Sequence, residues 1–172
     1  MARLFVAIRP PAEVLDVLAA LPRPDEPGVR WVPPEQWHIT VRFFGEADEG
    51  EAATALGRVS VLIAERGARN VSRTAVLGPA VSRLGRSVVC VPVRGIDHLA
   101  AIVHQVTADV GRPVDSRPFA GHLTLARLRH RAACGLAGAR IAAQFEVHEL
   151  ELVRSTLGAA GATHEVVSTL AL

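Results

Sequence analysis

Trp37-His38-Ile39-Thr40-Val41-Arg42 and Gly121-His122-Leu123-Thr124-Leu125-Ala126 are the two stretches whose reading decides the fold. Each carries His-x-Thr followed by an apolar residue, with x apolar as well. In an extended chain, residues i and i+2 project to the same side. His38 and Thr40 therefore share one face while Ile39 and Val41 enter an apolar layer, and His122 and Thr124 repeat this against Leu123 and Leu125. With eight threonines and 49% apolar residues, composition gives each histidine roughly a 1% chance of such a motif, and roughly 0.3% for two or more among seven histidines. The pair is a signal, and its members stand about half a chain length apart.

Outward from the first motif, residues 3–8 read as a buried strand bounded by Pro10-Pro11, and 13–21 show helical spacing that stops before Pro22. A Pro- and acid-rich loop follows to Gly28, then a short strand over 29–32 and a β-rich run over 36–44 closed by Gly45. The spacing predicts a long helix over 48–66 ended by Gly67, strands over 71–77 and 87–93, and a helix over 97–110 with Asp97 as N-cap. Beyond the second motif, at 121–128, it predicts an Ala-rich helix over 131–143. Strands over 145–156 and 163–170 then turn around Gly158 and Gly161. The mixture is α+β. One domain over 1–172 is expected, built from two similar lobes, with antiparallel sheets lining a central cleft and helices outside.

Two histidines and two threonines on facing strands suit phosphoryl transfer. In-line displacement needs a base at the entering oxygen and an acid at the leaving oxygen, and two imidazoles supply both near neutral pH. Threonine hydroxyls can donate to the non-bridging oxygens. The catalytic candidates are thus His38, Thr40, His122 and Thr124, with no metal and no cofactor expected. A 2′,3′-cyclic phosphate is the attractive substrate, because its ring is strained and its leaving group is a ribose oxygen. His98 and His104, six apart, have no ligand spacing and are expected at solvent or helix ends. His130 and His164 sit near element ends, and His148 shares a strand face with Leu150 and Leu152, where a core role is expected.

Strict alternation puts Arg42 and Phe44 on the face of His38, as phosphate and base contacts. It sends Arg127 away from His122 unless the strand bulges. Arg117, before Pro118-Phe119, stands close enough in sequence to approach the second histidine.

All 19 basic residues are arginine and none is lysine. A GC-rich genome accounts for much of this, yet arginine's planar fork suits phosphate oxygens. The absence of lysine excludes a lysyl-nucleotide intermediate and Schiff-base catalysis. Cys90 and Cys134 form no metal-binding pattern, and Cys90 reads as a buried structural thiol. Apolar runs are far below membrane-spanning length and the start lacks a secretory pattern, so a cytoplasmic protein without a membrane partner is expected.

Arg3-Leu4-Phe5-Val6-Ala7-Ile8, Val29-Arg30-Trp31-Val32-Pro33-Pro34-Glu35, His38 to Gly45, Arg117-Pro118-Phe119, His122 to Arg127, and the closing Leu152-Val153-Arg154-Ser155 and Leu157-Gly158 together resemble a known family. They are similar to the RNA 2′,3′-cyclic phosphodiesterases, also called 2′-5′ RNA ligases, of the two-histidine phosphoesterase superfamily. The resemblance implies a bilobal fold and hydrolysis of RNA 2′,3′-cyclic phosphate ends to 2′-phosphates. It also implies weak, reversible, ATP-independent joining of tRNA halves through a 2′-5′ bond; a monomer is expected. By similarity His38 would protonate the leaving 3′-oxygen, His122 would orient or deprotonate water, and Arg127 would touch substrate; the near-symmetric motifs alone leave the acid and base roles open. Other substrates within the superfamily are ADP-ribose 1″,2″-cyclic phosphate and 2′-5′ oligonucleotides. A module that only binds RNA ends is the non-catalytic alternative. The chain departs from the pattern in Gly121, where proline is common, in Arg9, where an acid is common, in Arg83 and Arg86, and in having no tyrosine.

Overall fold

A computed structural model describes residues 1–67, 71–129, 132–158 and 161–172. In chain order these form β1 (Ala2–Ile8), α1 (Ala12–Ala19), β2 (Val29–Trp31), β3 (Ile39–Ala47), α2 (Glu49–Arg66), β4 (Thr74–Leu77), β5 (Ser82–Leu84), β6 (Val88–Arg94), α3 (Asp97–Val106), β7 (His122–Leu128), β8 (Ala143–Glu146), β9 (Glu149–Gly158) and β10 (Gly161–Ala171). A 3-10 turn, Pro34–Gln36, leads into β3.

The α+β expectation is met by an antiparallel sheet in the order β10-β9-β1-β3-β7-β6-β4-β8, with β2 added to β7 and β5 to β6. The first four strands come from the two ends of the chain and the last four from its middle. Each motif strand, β3 or β7, is thus the inner strand of its half. Helices cover one face. There Leu4, Val6, Ile39, Phe44, Leu123 and Ile102 are fully buried, each contributing on the order of 1.5–3 kcal/mol of apolar transfer. The opposite face carries Phe5, Ala7 and Val153 in a separate small apolar cluster, with Phe43 packed against it.

The helix expected over 48–66 forms over Glu49–Arg66. The Asp48 side chain accepts a hydrogen bond from the Glu51 amide, and Gly67 closes the helix at φ +81°. Three expectations fail. Asp97 is the first helical residue of α3 rather than its N-cap, a position taken by Ile96 with no side-chain hydrogen bond. Residues 135–138 form a turn rather than a helix: Gly135 and Gly138 stand within the alanine run, and Gly138 adopts φ +91° while its amide bonds the Val81 carbonyl. His130 and Arg131 lie outside the described residues. The strand expected over 145–156 is broken between β8 and β9, leaving His148 exposed rather than in the core. Among the described residues, no helix is long and apolar enough to cross a membrane.

Candidate active site

The motif strands β3 and β7 meet at one residue pair, Ile39 with Leu123. These are the central residues of the two His-x-Thr triplets, and both are completely buried. Antiparallel pairing at that point sets His38 across from Thr124 and Thr40 across from His122, all four on the face away from the helices. A local two-fold relation follows, with an imidazole and a hydroxyl on each side of a cleft.

Each imidazole is oriented in the same way. His38 Nδ1 lies 2.6 Å from the Gln36 carbonyl, and His122 Nδ1 lies 2.8 Å from the Ala120 carbonyl, two residues upstream in both cases. A carbonyl oxygen only accepts, so Nδ1–H donates and Nε2 is left as the free nitrogen. Rigid tautomers on a packed strand pair are what acid–base work requires.

Both motifs bulge immediately after the threonine. Val41 is the extra residue of β3 against β1, and Leu125 that of β7 against β6. The carbonyl of each bulged residue is satisfied from outside the ladder. His104 Nε2 donates to Val41 O at 2.8 Å, and the Val32 amide donates to Leu125 O at 2.8 Å. His104, expected at solvent or a helix end, is therefore a half-buried structural group.

A one-residue bulge reverses which face the following residues occupy. Arg127 is carried onto the cleft face, as the resemblance implied and strict alternation did not. Arg42 is carried the other way, contrary to its expected phosphate contact. It is 4% exposed, and its guanidinium donates to the Phe43 carbonyl at 2.9 Å, the Val110 carbonyl at 3.1 Å and the Arg112 carbonyl. Phe44, the extra residue of a second bulge in β3, is fully buried under the helices rather than in the cleft. Phe43 takes the place expected for it, paired with Phe5 on the cleft face, with Arg3 5.0 Å above its ring. Arg117 is not brought to His122. Its guanidinium clamps Asp115, the closest contact being 2.6 Å, and its side chain is 84% exposed.

One group carries no signal in the sequence. His164, on β10, stands 5.2 Å from the His38 ring in an edge-on arrangement, and both pack against Phe5 at 5.1 and 4.9 Å. Arg9 borders the same cluster, held by the Glu151 carboxylate at 3.2 Å and the Glu35 carbonyl at 3.0 Å. Burial, aided by the charges of His164, Arg9 and His122 and opposed by the Gln36 hydrogen bond, pushes His38 down to about 4. Burial and Arg9 also lower His164. At neutral pH the empty cleft therefore holds His38 as a neutral imidazole with its Nε2 lone pair free.

A family model described as LigT-like phosphoesterase matches residues 7–80, which include the first motif. No curated protein matches the chain. Among solved structures, TT0787 of Thermus thermophilus is 26% identical with a TM-score of 0.77, covering 99% of this chain and 97% of that one. E. coli LigT complexed with NADP+ is 26% identical with a TM-score of 0.72 over the same shares. E. coli LigT complexed with 3′-AMP is 25% identical with a TM-score of 0.70, over 99% and 98%. The paired His-x-Thr strands on one cleft face, the phosphoesterase model over residues 7–80 and this likeness along the whole chain support a two-histidine phosphoesterase, an enzyme acting on phosphodiester bonds, that is similar to the 2′-5′ RNA ligase family.

Proposed function

We propose that the protein hydrolyses 2′,3′-cyclic phosphate ends of RNA to 2′-phosphates, without a metal ion. The observation that carries this reading is the two-fold arrangement of His38, Thr40, His122 and Thr124 about the Ile39–Leu123 pair, with both Nδ1 atoms committed to backbone carbonyls. A phosphorus atom between the two free Nε2 atoms meets one proton acceptor and one proton donor on opposite sides. Thr40 and Thr124 donate to its non-bridging oxygens.

In the hydrolytic step a water oxygen bonds to phosphorus and its proton passes to one imidazole. The bond from phosphorus to the 3′-oxygen breaks, and the other imidazolium protonates that oxygen. Following the resemblance, His38 serves the leaving oxygen. Because it is neutral in the empty cleft, it takes up its proton together with the anionic phosphodiester, whose charge offsets the repulsion from Arg9 and His164. Phe43 and Phe5 give the terminal base an apolar bed, and Arg127 stands further along the same face as a contact for the rest of the RNA end. With the 5′-hydroxyl of a second RNA end in place of water, the same displacement bonds that oxygen to phosphorus, releases the 3′-oxygen and leaves a 2′-5′ diester, a weak and reversible ligation with tRNA halves as fitting partners. Complexes of the E. coli relative with 3′-AMP and NADP+ support a phosphorylated nucleotide as the ligand class.

The test is turnover of RNA ending in 2′,3′-cyclic phosphate in the presence of EDTA, with the product identified by phosphorus NMR. Release of a 2′-phosphomonoester is expected. A requirement for added metal, or a 3′-phosphate product, overturns the reading.

A further inference from the structure

Arg127 has a neighbour of the same charge. The register of β2 on β7 sets Arg30 directly opposite Arg127, with Trp31 opposite Ala126 and Val29 opposite Leu128. Ala126 and Leu128 are buried on the helix side, so Arg30 and Arg127 leave the sheet together on the cleft side, and both are exposed. Like charges directly across a strand pair oppose each other. Among the described residues, neither guanidinium meets a carboxylate: the ion pairs belong to Arg9, Arg117 and Arg154.

The surroundings of the pair narrow what would relieve that repulsion. On one side the row continues through Val88, opposite Arg127, to Leu84, opposite Val88 and 43% exposed. On the other side the Arg30 guanidinium lies along the backbone at the turn into β10, where a Cβ on Gly161 would stand 3.3 Å from Nη1. The same hairpin is held down beside the first motif by Gln36, whose Nε2 donates to the Ala162 carbonyl at 3.0 Å. The two arginines therefore sit where the cleft runs out between β7 and the β9–β10 hairpin. Arg127 follows Thr124 by three positions, one of them spent in the bulge, so the pair lies about 7–10 Å along the strand from the phosphoryl position. That displacement matches one nucleotide step of a single strand.

We propose that Arg30 and Arg127 form a second phosphate subsite, which takes the internal phosphodiester adjoining the cyclic end. The preferred substrate is then an oligonucleotide rather than a cyclic mononucleotide. Two planar forks side by side can share one phosphodiester's oxygens, and the apolar Val88–Leu84 row gives the preceding nucleoside a surface to lie on. The inference rests on the cyclic-phosphodiesterase reading of the histidine site.

The experiment compares kcat/KM for adenosine 2′,3′-cyclic phosphate with that for the dinucleotide ApA ending in a 2′,3′-cyclic phosphate, in the unaltered protein and in Arg30→Gln. A preference for the dinucleotide of about tenfold or more is expected, as is a fall of about tenfold in that preference in Arg30→Gln, equivalent to one lost charge-assisted contact. The dinucleotide's salt dependence should also become shallower by roughly the 0.7 log unit per log salt that one single-strand phosphate contact supplies. Both substrates are measured on one preparation, so any loss of folded protein cancels in the ratio. Turnover of both substrates with no dinucleotide preference, or with a preference unaltered in Arg30→Gln, overturns the subsite. No turnover of either overturns the reading on which it rests.

Discussion

Ile39 and Leu123 join the two motif strands through a single backbone pair, and everything chemical in the cleft is placed relative to it. On either side of that pair the strands part: β3 continues along β1, while β7 continues along β2 and β6. The parting opens the cleft, and the pairing fixes the diagonal of histidines and threonines.

Truncation at this pair should therefore cost more activity than stability alone explains. Ile39→Ala removes a completely buried side chain, and a loss of about 2–4 kcal/mol in urea unfolding is expected. Under conditions where the variant remains folded, kcat should still fall by about a hundredfold, the order of effect of a 1 Å misplacement of catalytic groups. A folded variant with undiminished kcat would detach the bridge from the chemistry.

Arg42 is predicted to be a stability residue. Its guanidinium satisfies three backbone carbonyls from a buried position, and Arg42→Leu leaves them without that donor. Unfolding free energy should drop by about 2–4 kcal/mol, with KM little changed for the folded fraction. A stable variant with a raised KM would instead restore Arg42 to the phosphate.

Phe43, by contrast, should act on binding. Phe43→Ala removes the exposed side of the aromatic bed beside Phe5, and KM for RNA ends should rise by roughly 5- to 150-fold, the range of 1–3 kcal/mol for base stacking. Phe44→Ala should behave in the opposite manner, losing stability by about 3–5 kcal/mol from the core. Equal effects of the two on KM would contradict their placement on opposite faces.

These residues also show how far the sequence can be read. The motifs, the helix between Asp48 and Gly67 and the α+β class follow from short-range pattern, because spacing and caps are local properties. The side of the sheet on which a residue lies is local only while a strand is regular. One extra residue at Val41, at Phe44 and at Leu125 inverts the alternation, so Arg42 and Phe44 move to the helices while Phe43 and Arg127 reach the cleft. No composition marks those bulges; their carbonyl partners, His104 and Val32, are distant in sequence. His164 is invisible for a related reason. It reaches His38 only because β10, β9 and β1 are neighbours in that order. The glycines at 135 and 138 are legible, and they outweigh the helix propensity of the alanines around them.

The pH dependence should carry the mark of His38. A cleft with one protonated and one free imidazole gives a bell-shaped kcat/KM. The cleft that turns over carries one proton, used by His38 on the leaving oxygen, and the form with both imidazoles protonated has no base. Since burial pushes His38 down to about 4, that second proton adds only near this value, and the acid limb should lie near pH 4 rather than near the ordinary histidine range. His164→Ala admits water beside the His38 ring and removes a neighbouring charge. Both changes favour the imidazolium, so the acid limb should move to higher pH. A limb that does not move in the folded variant would separate His164 from the chemistry.

The most direct test of the two-histidine account is single-turnover hydrolysis of RNA 2′,3′-cyclic phosphate in EDTA by His38→Ala, His122→Ala and the double variant. Each single change should lower the rate by about 10²–10⁴-fold. The double variant should lose far less than the product of the two, because a base without its acid partner is already disabled. Full activity in either single variant, or losses that multiply independently, would contradict the paired mechanism.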